Sequence, residues 1–167
     1  MSEGDDILVG RADAYASLRG IRIAQKLGGG KDGIVSAAKN NADVVGVAVK
    51  IHERRDAYLR ECAAYVRLRA SRVSEIRGFN VPRLLGHDDR LLVLEMTIVT
   101  RPYILDFADA WLDRLPEFPE NVWTEWEEEK MEQFGPRWPE VQKILQELRR
   151  WGIFMLDVSP TNIAFRD

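Results

Sequence analysis

The chain has 167 residues, of which 46% are hydrophobic and 31% charged, so it can build the core of one ordinary domain or two small lobes. The formal net charge of −3 argues against general attraction to nucleic acid or an acidic membrane. A single cysteine, Cys62, excludes an intrachain disulfide, the acidic N-terminus does not resemble a signal peptide, and no apolar run is long enough to span a membrane. We therefore expect a cytoplasmic protein.

The first hundred residues predict a small sheet with one packed helix. A short helix is expected over residues 8–19. Strands over 21–27 and 34–39 form a hairpin around a glycine-rich run, and a third strand covers 44–51. Helical spacing then runs from Asp56, the expected N-cap, to about Ile76. Strands over 81–86 and 90–96 form a second hairpin, so the order β-β-β-α-β-β favours a five-stranded antiparallel sheet in an α+β fold.

The remaining residues predict a mainly helical region. We expect helices over 103–115 and 140–151, the second ending near Gly152. The acidic stretch 120–133 between them is interpreted as a solvated helix face, although it could attract a basic partner or a cationic substrate of the aminoglycoside type. The tryptophans around it are predicted to pack inside the fold or, if exposed, to form a homodimer surface: Trp123, Trp126 and Trp138.

The glycine-rich run contains Gly28-x-Gly30-x-x-Gly33-x-Val35, which matches a G-x-G-x-x-G-x-V pattern. A dinucleotide-binding glycine motif leads from a strand into a helix, whereas this one lies between two strands. The position favours a loop that covers nucleotide phosphates. A slack hairpin turn is the alternative reading.

Lys50 ends the apolar run "VAVK" on the third strand, seventeen residues after Gly33, which suffices to bring it beneath the glycine loop. A buried lysine requires an anionic partner. Glu61 on the following helix is the predicted partner, and Glu53 is a weaker alternative. Taken singly, Lys50 could instead be an edge-strand lysine reaching solvent, and Glu61 a solvated helix residue.

Asp157 and Asn162, in "LDVSPTNIAF", have the D-x-x-x-x-N spacing of a phosphotransfer catalytic loop. In such a loop the aspartate accepts a hydroxyl proton and the asparagine carbonyl oxygen binds Mg²⁺. This short pattern is common, and its weight comes from the order in which it follows the other motifs. His52, His87 and Cys62 do not have metal-ligand spacing.

Taken in order, these motifs make residues 20–167 resemble the protein-kinase-like superfamily, particularly its bacterial and small-molecule-type members. The resemblance implies an N-terminal extension (1–19), a small lobe (20–99) and a truncated helical large lobe (100–167). It also implies ATP and Mg²⁺ as cofactors, phosphates held by Lys50 and covered by the glycines, Asp157 as base and Asn162 as metal ligand. Leu94 would be the gatekeeper, Glu95 to Thr97 the hinge whose backbone contacts adenine, and Val35 and Ala48 the cover of the adenine ring.

The sequence departs from the family pattern in three ways. Met155 and Leu156 directly precede Asp157, where the family pattern has a histidine and an arginine, so control by activation-loop phosphorylation is not expected. The chain ends five residues after Asn162, so the D-F-G aspartate and the activation segment are expected to be missing and activity to be weak or nil. Lys50 and Glu61 are only eleven residues apart, which fits a compact member.

Three functions therefore stay open. The first is ATP·Mg²⁺-dependent phosphoryl transfer to a hydroxyl of an unknown small-molecule or protein acceptor. The second is a catalytically inactive module that binds nucleotide or protein. The third is a purely structural role, in which the glycine run is slack and the tail is a dimer contact.

Overall fold

The computed structural model describes residues 2–167, and Met1 lies outside the described residues. The chain forms an α+β fold whose main sheet has five antiparallel strands in the order β1-β2-β3-β7-β6. These strands are β1 (Arg22–Gly30), β2 (Gly33–Lys39), β3 (Val45–His52), β6 (Leu84–Asp88) and β7 (Val93–Thr97). The predicted five-stranded antiparallel sheet is confirmed.

The other elements are helices, a 3₁₀ turn and short strands. The helices are α1 (Glu3–Arg19), α2 (Arg55–Ala70), α3 (Glu120–Phe134) and α4 (Trp138–Arg149), with a 3₁₀ turn at Gly135–Arg137. Short strands are β4 (Glu75–Ile76), β5 (Phe79–Asn80), β8 (Tyr103–Ile104), β9 (Trp111–Leu112), β10 (Ile153–Phe154) and β11 (Ile163–Ala164). Within residues 2–167, no helix is long and apolar enough to cross a membrane.

The five-stranded sheet is covered on both faces. Strand alternation sends Val49, Ile51 and Val93 to one face, where they pack against Leu8 and the rest of the inner side of α1. The opposite face carries Ala48, Leu94 and Met96, which join the core formed with α2 and the C-terminal elements. A side chain placed on β3 or β7 therefore meets either α1 or the site face, according to its position in the alternation.

Helix α1 begins five residues earlier than predicted. The Ser2 hydroxyl accepts from the Asp5 N–H, and the Asp5 carboxylate accepts from the Ser2 N–H, which makes a capping box. The first turn, Glu3–Asp6, contains no apolar stripe, so periodicity alone missed it.

Helix α2 was predicted to extend too far and to start from the wrong cap. It ends at Ala70 rather than near Ile76, because β4 and β5 form a hairpin around Arg77 and Gly78, both with positive φ. Its N-cap is Arg54, which makes no capping side-chain hydrogen bond, and Asp56 lies inside the first turn.

The predicted helix over residues 103–115 is wrong. Residues 103–104 form β8, which pairs with β11 and β5, while residues 111–112 form β9, which pairs with β10. Ile104, Phe107 and Ala110 are buried between these pairings. Their apolar spacing resembles that of a helix, but the hydrogen-bond partners come from distant parts of the chain, which a local pattern cannot reveal.

The C-terminal helices confirm the prediction for α4 and explain the tryptophans. Val141, Ile144 and Leu148 on α4 are fully buried. Trp123, Trp126 and Trp138 pack in an edge-to-face series, and Trp138 is only 5% exposed. These rings therefore serve mainly to pack α3 on α4, which weakens the predicted aromatic dimer surface.

Candidate functional site

The best-defined polar cluster lies between β3 and α2. The Lys50 Nζ lies 2.9 Å from Oε1 and 3.0 Å from Oε2 of Glu61, and both side chains are almost fully buried. Burial disfavours the charged ammonium, but the carboxylates of Glu61 and Asp106 outweigh it and raise the pKa of Lys50. Burial also disfavours the charged Glu61 carboxylate and by itself would raise its pKa. Contacts with Lys50 and His52 outweigh burial, so the pKa of Glu61 is lowered. The predicted contact between Lys50 and Glu61 is confirmed, and Glu53 is exposed.

Asp106 is the member of this cluster that sequence reasoning missed. Its Oδ1 lies 3.3 Å from the Lys50 Nζ and accepts a 3.2 Å hydrogen bond from the Ala108 N–H. Burial raises the pKa of Asp106 to about 6 despite the nearby Lys50. The residue has a left-handed backbone (φ 68°) and lies two residues after the end of β8. The mistaken helix over 103–115 hid it, and the signal that could have found it is the apolar run just before Asp106.

The loop carrying Asp157 and Asn162 joins this cluster through strand pairing. The side-chain amide of Asn162 donates a 2.8 Å hydrogen bond to the Asp157 carbonyl oxygen, which closes the loop. The Leu105 N–H donates to the Asn162 carbonyl oxygen at 2.7 Å. Because Leu105 directly precedes Asp106, these bonds bring the two segments side by side although they are far apart in sequence. Asp157 and Asn162 are both partly exposed.

The structure requires a glycine at one of the three predicted positions but not at the other two. All three lie in the β1–β2 hairpin, where Gly28 pairs with Val35 and Gly30 with Gly33, leaving Lys31 and Asp32 as the turn. A Cβ at Gly33 would lie 1.9 Å from the Ile51 carbonyl oxygen, and φ there is 141°. Gly33 is therefore required by packing on β3, whereas added Cβ atoms at Gly28 and Gly30 would meet only open space.

An open cleft lies between the hairpin tip and the Asp157 loop. It has a volume of about 400 Å³ and is lined by Lys31, Arg60, Asp109, Trp111, Leu156 and Asp157. The Lys31 Nζ forms a 2.8 Å ion pair with Asp109, so the hairpin tip rests against the segment that follows Asp106. Arg60, next to Glu61 on α2, donates to the Ala108 carbonyl oxygen and lies 3.7 Å from Asp109.

The predicted adenine-contacting residues lie on β2, β3 and β7. Leu94 pairs with Lys50 and is fully buried. Ala48 is 6% exposed and Val35 half-buried, and neither lines the open cleft. These positions belong to the packed core in this conformation, so binding of a base there requires the core edge to open.

The predicted hinge is only partly free to contact a ligand. Glu95 pairs with Val49 and Gly86 within the sheet, and the Thr97 N–H donates to the Arg83 carbonyl oxygen at 2.9 Å. The Thr97 N–H therefore already has a partner, and the adenine contacts predicted from Glu95 and Thr97 stay predictions. Chain outside the strand begins at Ile98.

The Glu95 side chain lies on the α1 face of the sheet. It accepts hydrogen bonds from the Tyr15 hydroxyl at 2.6 Å and from Arg19 Nε at 2.8 Å. Its pKa lies below the ordinary value, because these bonds outweigh the effect of burial. The sequence offered no signal for this cluster.

Neither a family model nor a curated protein sequence matches this chain. Among residues 2–167, no three or more His, Cys, Asp or Glu side chains converge as a ready-made metal site.

Proposed function

We propose that the protein is an ATP·Mg²⁺-dependent phosphotransferase with a protein-kinase-like fold, which transfers phosphate to a hydroxyl group. The observation that carries the proposal is the convergence of Lys50, Glu61 and Asp106 beside the loop of Asp157 and Asn162. Burying three charged groups costs desolvation free energy that an apolar core would not incur, and ionisable groups with perturbed pKa values are concentrated at functional sites.

The candidate metal-binding aspartate and the catalytic loop occur in the opposite order along this chain from that in the family pattern. In the family pattern, the D-F-G aspartate follows the catalytic loop. Asp106, followed by Phe107, comes from the upstream segment and lies beside Lys50. The pairings β8–β11 and β9–β10 support this exchanged order, because they join the two segments as neighbours. We accordingly propose that Asp106 takes the role that the D-F-G aspartate has in the family pattern.

The donor chemistry of these residues fits Mg²⁺. This ion prefers oxygen ligands and is commonly held by one or two carboxylates together with substrate phosphates. Asp106 offers a carboxylate and Asn162 an amide oxygen, so together they would hold the ion. A site of this kind requires no cluster of three acidic or histidine side chains. When bound, Mg²⁺ would neutralise charge on the phosphate oxygens.

The chain's own groups have separate proposed roles. The Lys50 ammonium would hold the α- and β-phosphates, with Glu61 fixing its position. Backbone at Gly28 and Gly30 would cover the phosphates, since nothing in the protein occupies the space beside them. Asp157, which lines the open cleft, would accept the proton of the acceptor hydroxyl. The cleft leaves room for that acceptor directly beside the carboxylate.

The second candidate is a catalytically inactive nucleotide-binding or protein-binding module. It is favoured by the buried Ala48 and by the Thr97 N–H, which already has a partner. A module of this kind would bind through the phosphates without correctly positioning a base or an acceptor.

Calorimetry with ATP, with and without Mg²⁺, tests the proposed site. A nucleotide at 100 times its dissociation constant should stabilise the native state by about 2.7 kcal/mol. We expect this stabilisation in the wild type and in Lys143→Ala, whose lysine is exposed on α4, but not in Lys50→Ala. Equal stabilisation of Lys50→Ala, or none in the wild type, would reject the site. Binding without release of labelled γ-phosphate to water or to any of a panel of hydroxyl acceptors would favour the inactive module.

A further inference from the structure

His52 is a buried titratable residue that the proposed mechanism leaves unused. It lies two residues after Lys50 on β3, so both side chains extend to the site face of the sheet. It is 0% exposed, and its ring packs edge-to-face on Tyr58 at 5.5 Å between centroids. A fully buried imidazole must find partners for both ring nitrogens inside the protein.

The two ring nitrogens face two different acceptors. Nδ1 lies 3.2 Å from the Leu92 carbonyl oxygen, and Nε2 lies 3.7 Å from Oε1 of Glu61. The second distance is too long for a hydrogen bond but suits an ion pair, and Nε2 is buried with no hydrogen-bond partner in the described chain.

Neither neutral tautomer suits these surroundings. If Nδ1 carries the proton, the Nε2 lone pair faces a carboxylate, and if Nε2 carries it, the Nδ1 lone pair faces a carbonyl oxygen. Only the doubly protonated ring presents an N–H to both acceptors. The same Glu61 oxygen is bound by Lys50, so this carboxylate has two basic neighbours on one strand.

We infer that His52 is a positioning residue, which in its doubly protonated form holds the Glu61 carboxylate in place for Lys50. The inference rests on the proposed function in one respect: when Lys50 also donates hydrogen bonds to phosphates, His52 keeps Glu61 fully partnered. Loss of the second proton would release Glu61 and weaken nucleotide binding.

One carboxylate lies next to the His52 ring, and the other charged groups around it do not contact the ring. Glu61 on α2 lies 3.7 Å from the ring, and Lys50 on β3 binds the same carboxylate. Other charged groups contact the backbone of His52 or the residues around it. Arg11 on α1 donates to the His52 carbonyl oxygen, and Asp32 in the turn before β2 is paired with Arg54. Asp89 and His87 bind the hydroxyl of Tyr58, on which the His52 ring packs.

Nitrogen-15 NMR of the imidazole rings tests the protonation directly, because the chain has only two histidines. In His87→Gln protein, the single remaining ring should show both nitrogens protonated at pH 6. Glu61→Gln should move its deprotonation to lower pH. A neutral tautomer at pH 6, or no response to Glu61→Gln, would overturn the inference whether or not the protein binds ATP.

The pH dependence of ATP binding tests the positioning role. Between pH 6 and pH 8 the dissociation constant of the wild type for ATP should rise relative to that of His52→Gln. The relative rise should be about fivefold, because the loss of one modest ion pair weakens binding by about that factor. Comparing variants cancels the titration of ATP itself. His87→Gln should behave as the wild type, and a matching pH profile for His52→Gln would reject the role. If wild-type protein binds no ATP at any pH, the proposed function fails, while the NMR result still decides the state of His52.

Discussion

Two buried carboxylates lie on opposite faces of the same sheet, and their surroundings differ. Glu95 on the α1 face is satisfied by Tyr15 and by the half-exposed Arg19, with the hydrogen bonds complete. Glu61 on the site face shares Lys50 with Asp106 and lies beside the unpartnered Nε2 of His52. The first cluster contains only what is needed to fasten a helix to a sheet. The second contains more charge than packing requires, at the side of the fold where an open cleft lies.

This comparison separates a structural ion cluster from a candidate functional one. Changes at Glu95 and its partners should alter stability and leave ligand binding intact. Changes around Glu61 should alter binding more than packing alone would explain, and some should even leave stability unchanged.

The largest effect is expected at Lys50. Lys50→Met leaves Glu61 as a buried carboxylate without its main partner, which should cost about 3–5 kcal/mol of unfolding free energy. Lys50→Met combined with Glu61→Gln should recover much of that stability but none of the ATP binding. Urea unfolding and calorimetry measure the two properties separately. If the double variant bound ATP as the wild type does, the site face would have no special role.

Asp106→Asn should have the next largest effect, on Mg²⁺-dependent activity. Removing the proposed metal-binding carboxylate should lower phosphoryl transfer about 100-fold or more, the usual loss when a main stabilising group is removed. The native fold should persist, because the amide is isosteric. The informative readout is the Mg²⁺ dependence of ATP affinity, which should largely disappear. Asp113→Asn, at an exposed aspartate paired with Arg67, is the matched control.

Tyr15→Phe should destabilise the protein by about 1–2 kcal/mol, because a buried carboxylate loses a hydrogen bond. ATP affinity should not change. A measurable loss of affinity would show that the two faces of the sheet are coupled, and would blur the distinction drawn between them.

The Glu95 cluster should also show a defined pH dependence. The pKa of Glu95 in the native state lies below the ordinary value of 4.5, so its contribution to stability is present above that value and is lost as the pH falls through the lowered pKa. Urea unfolding should therefore show the wild type losing its advantage over Glu95→Gln below about pH 4.5. An advantage that grew with acidification would contradict the assigned ion pair.

The smallest effect is expected at the hairpin tip. Asp109 holds Lys31 and lies near Arg60, two cations that a terminal phosphate would also attract. Asp109→Asn should therefore raise ATP affinity by up to about fivefold, since a largely exposed ion pair contributes roughly 1 kcal/mol at most. The gain should shrink at high salt. Weaker binding in this variant would indicate that Asp109 acts as a ligand-binding residue.

The sequence by itself determined most of the main sheet. The β1–β2 hairpin, β3, β7 and helix α4 follow from alternation, glycine placement and helical periodicity, which are local properties. The pairing of Lys50 with Glu61 was also predictable, because a charged residue in an apolar strand requires a partner and the next helix offered one at a suitable distance.

Only the tertiary structure decided the segment from Tyr103 to Leu112. Ile104 pairs with Ile163 and Leu112 with Ile153, partners that lie dozens of residues away. Two-residue strands carry too little alternation to be recognised, and their apolar spacing favoured a helix. The tertiary pairing replaces that helix with a turn whose Asp106 meets Lys50, since hydrogen bonds between distant strands outweigh a local preference of a few tenths of a kcal/mol per residue.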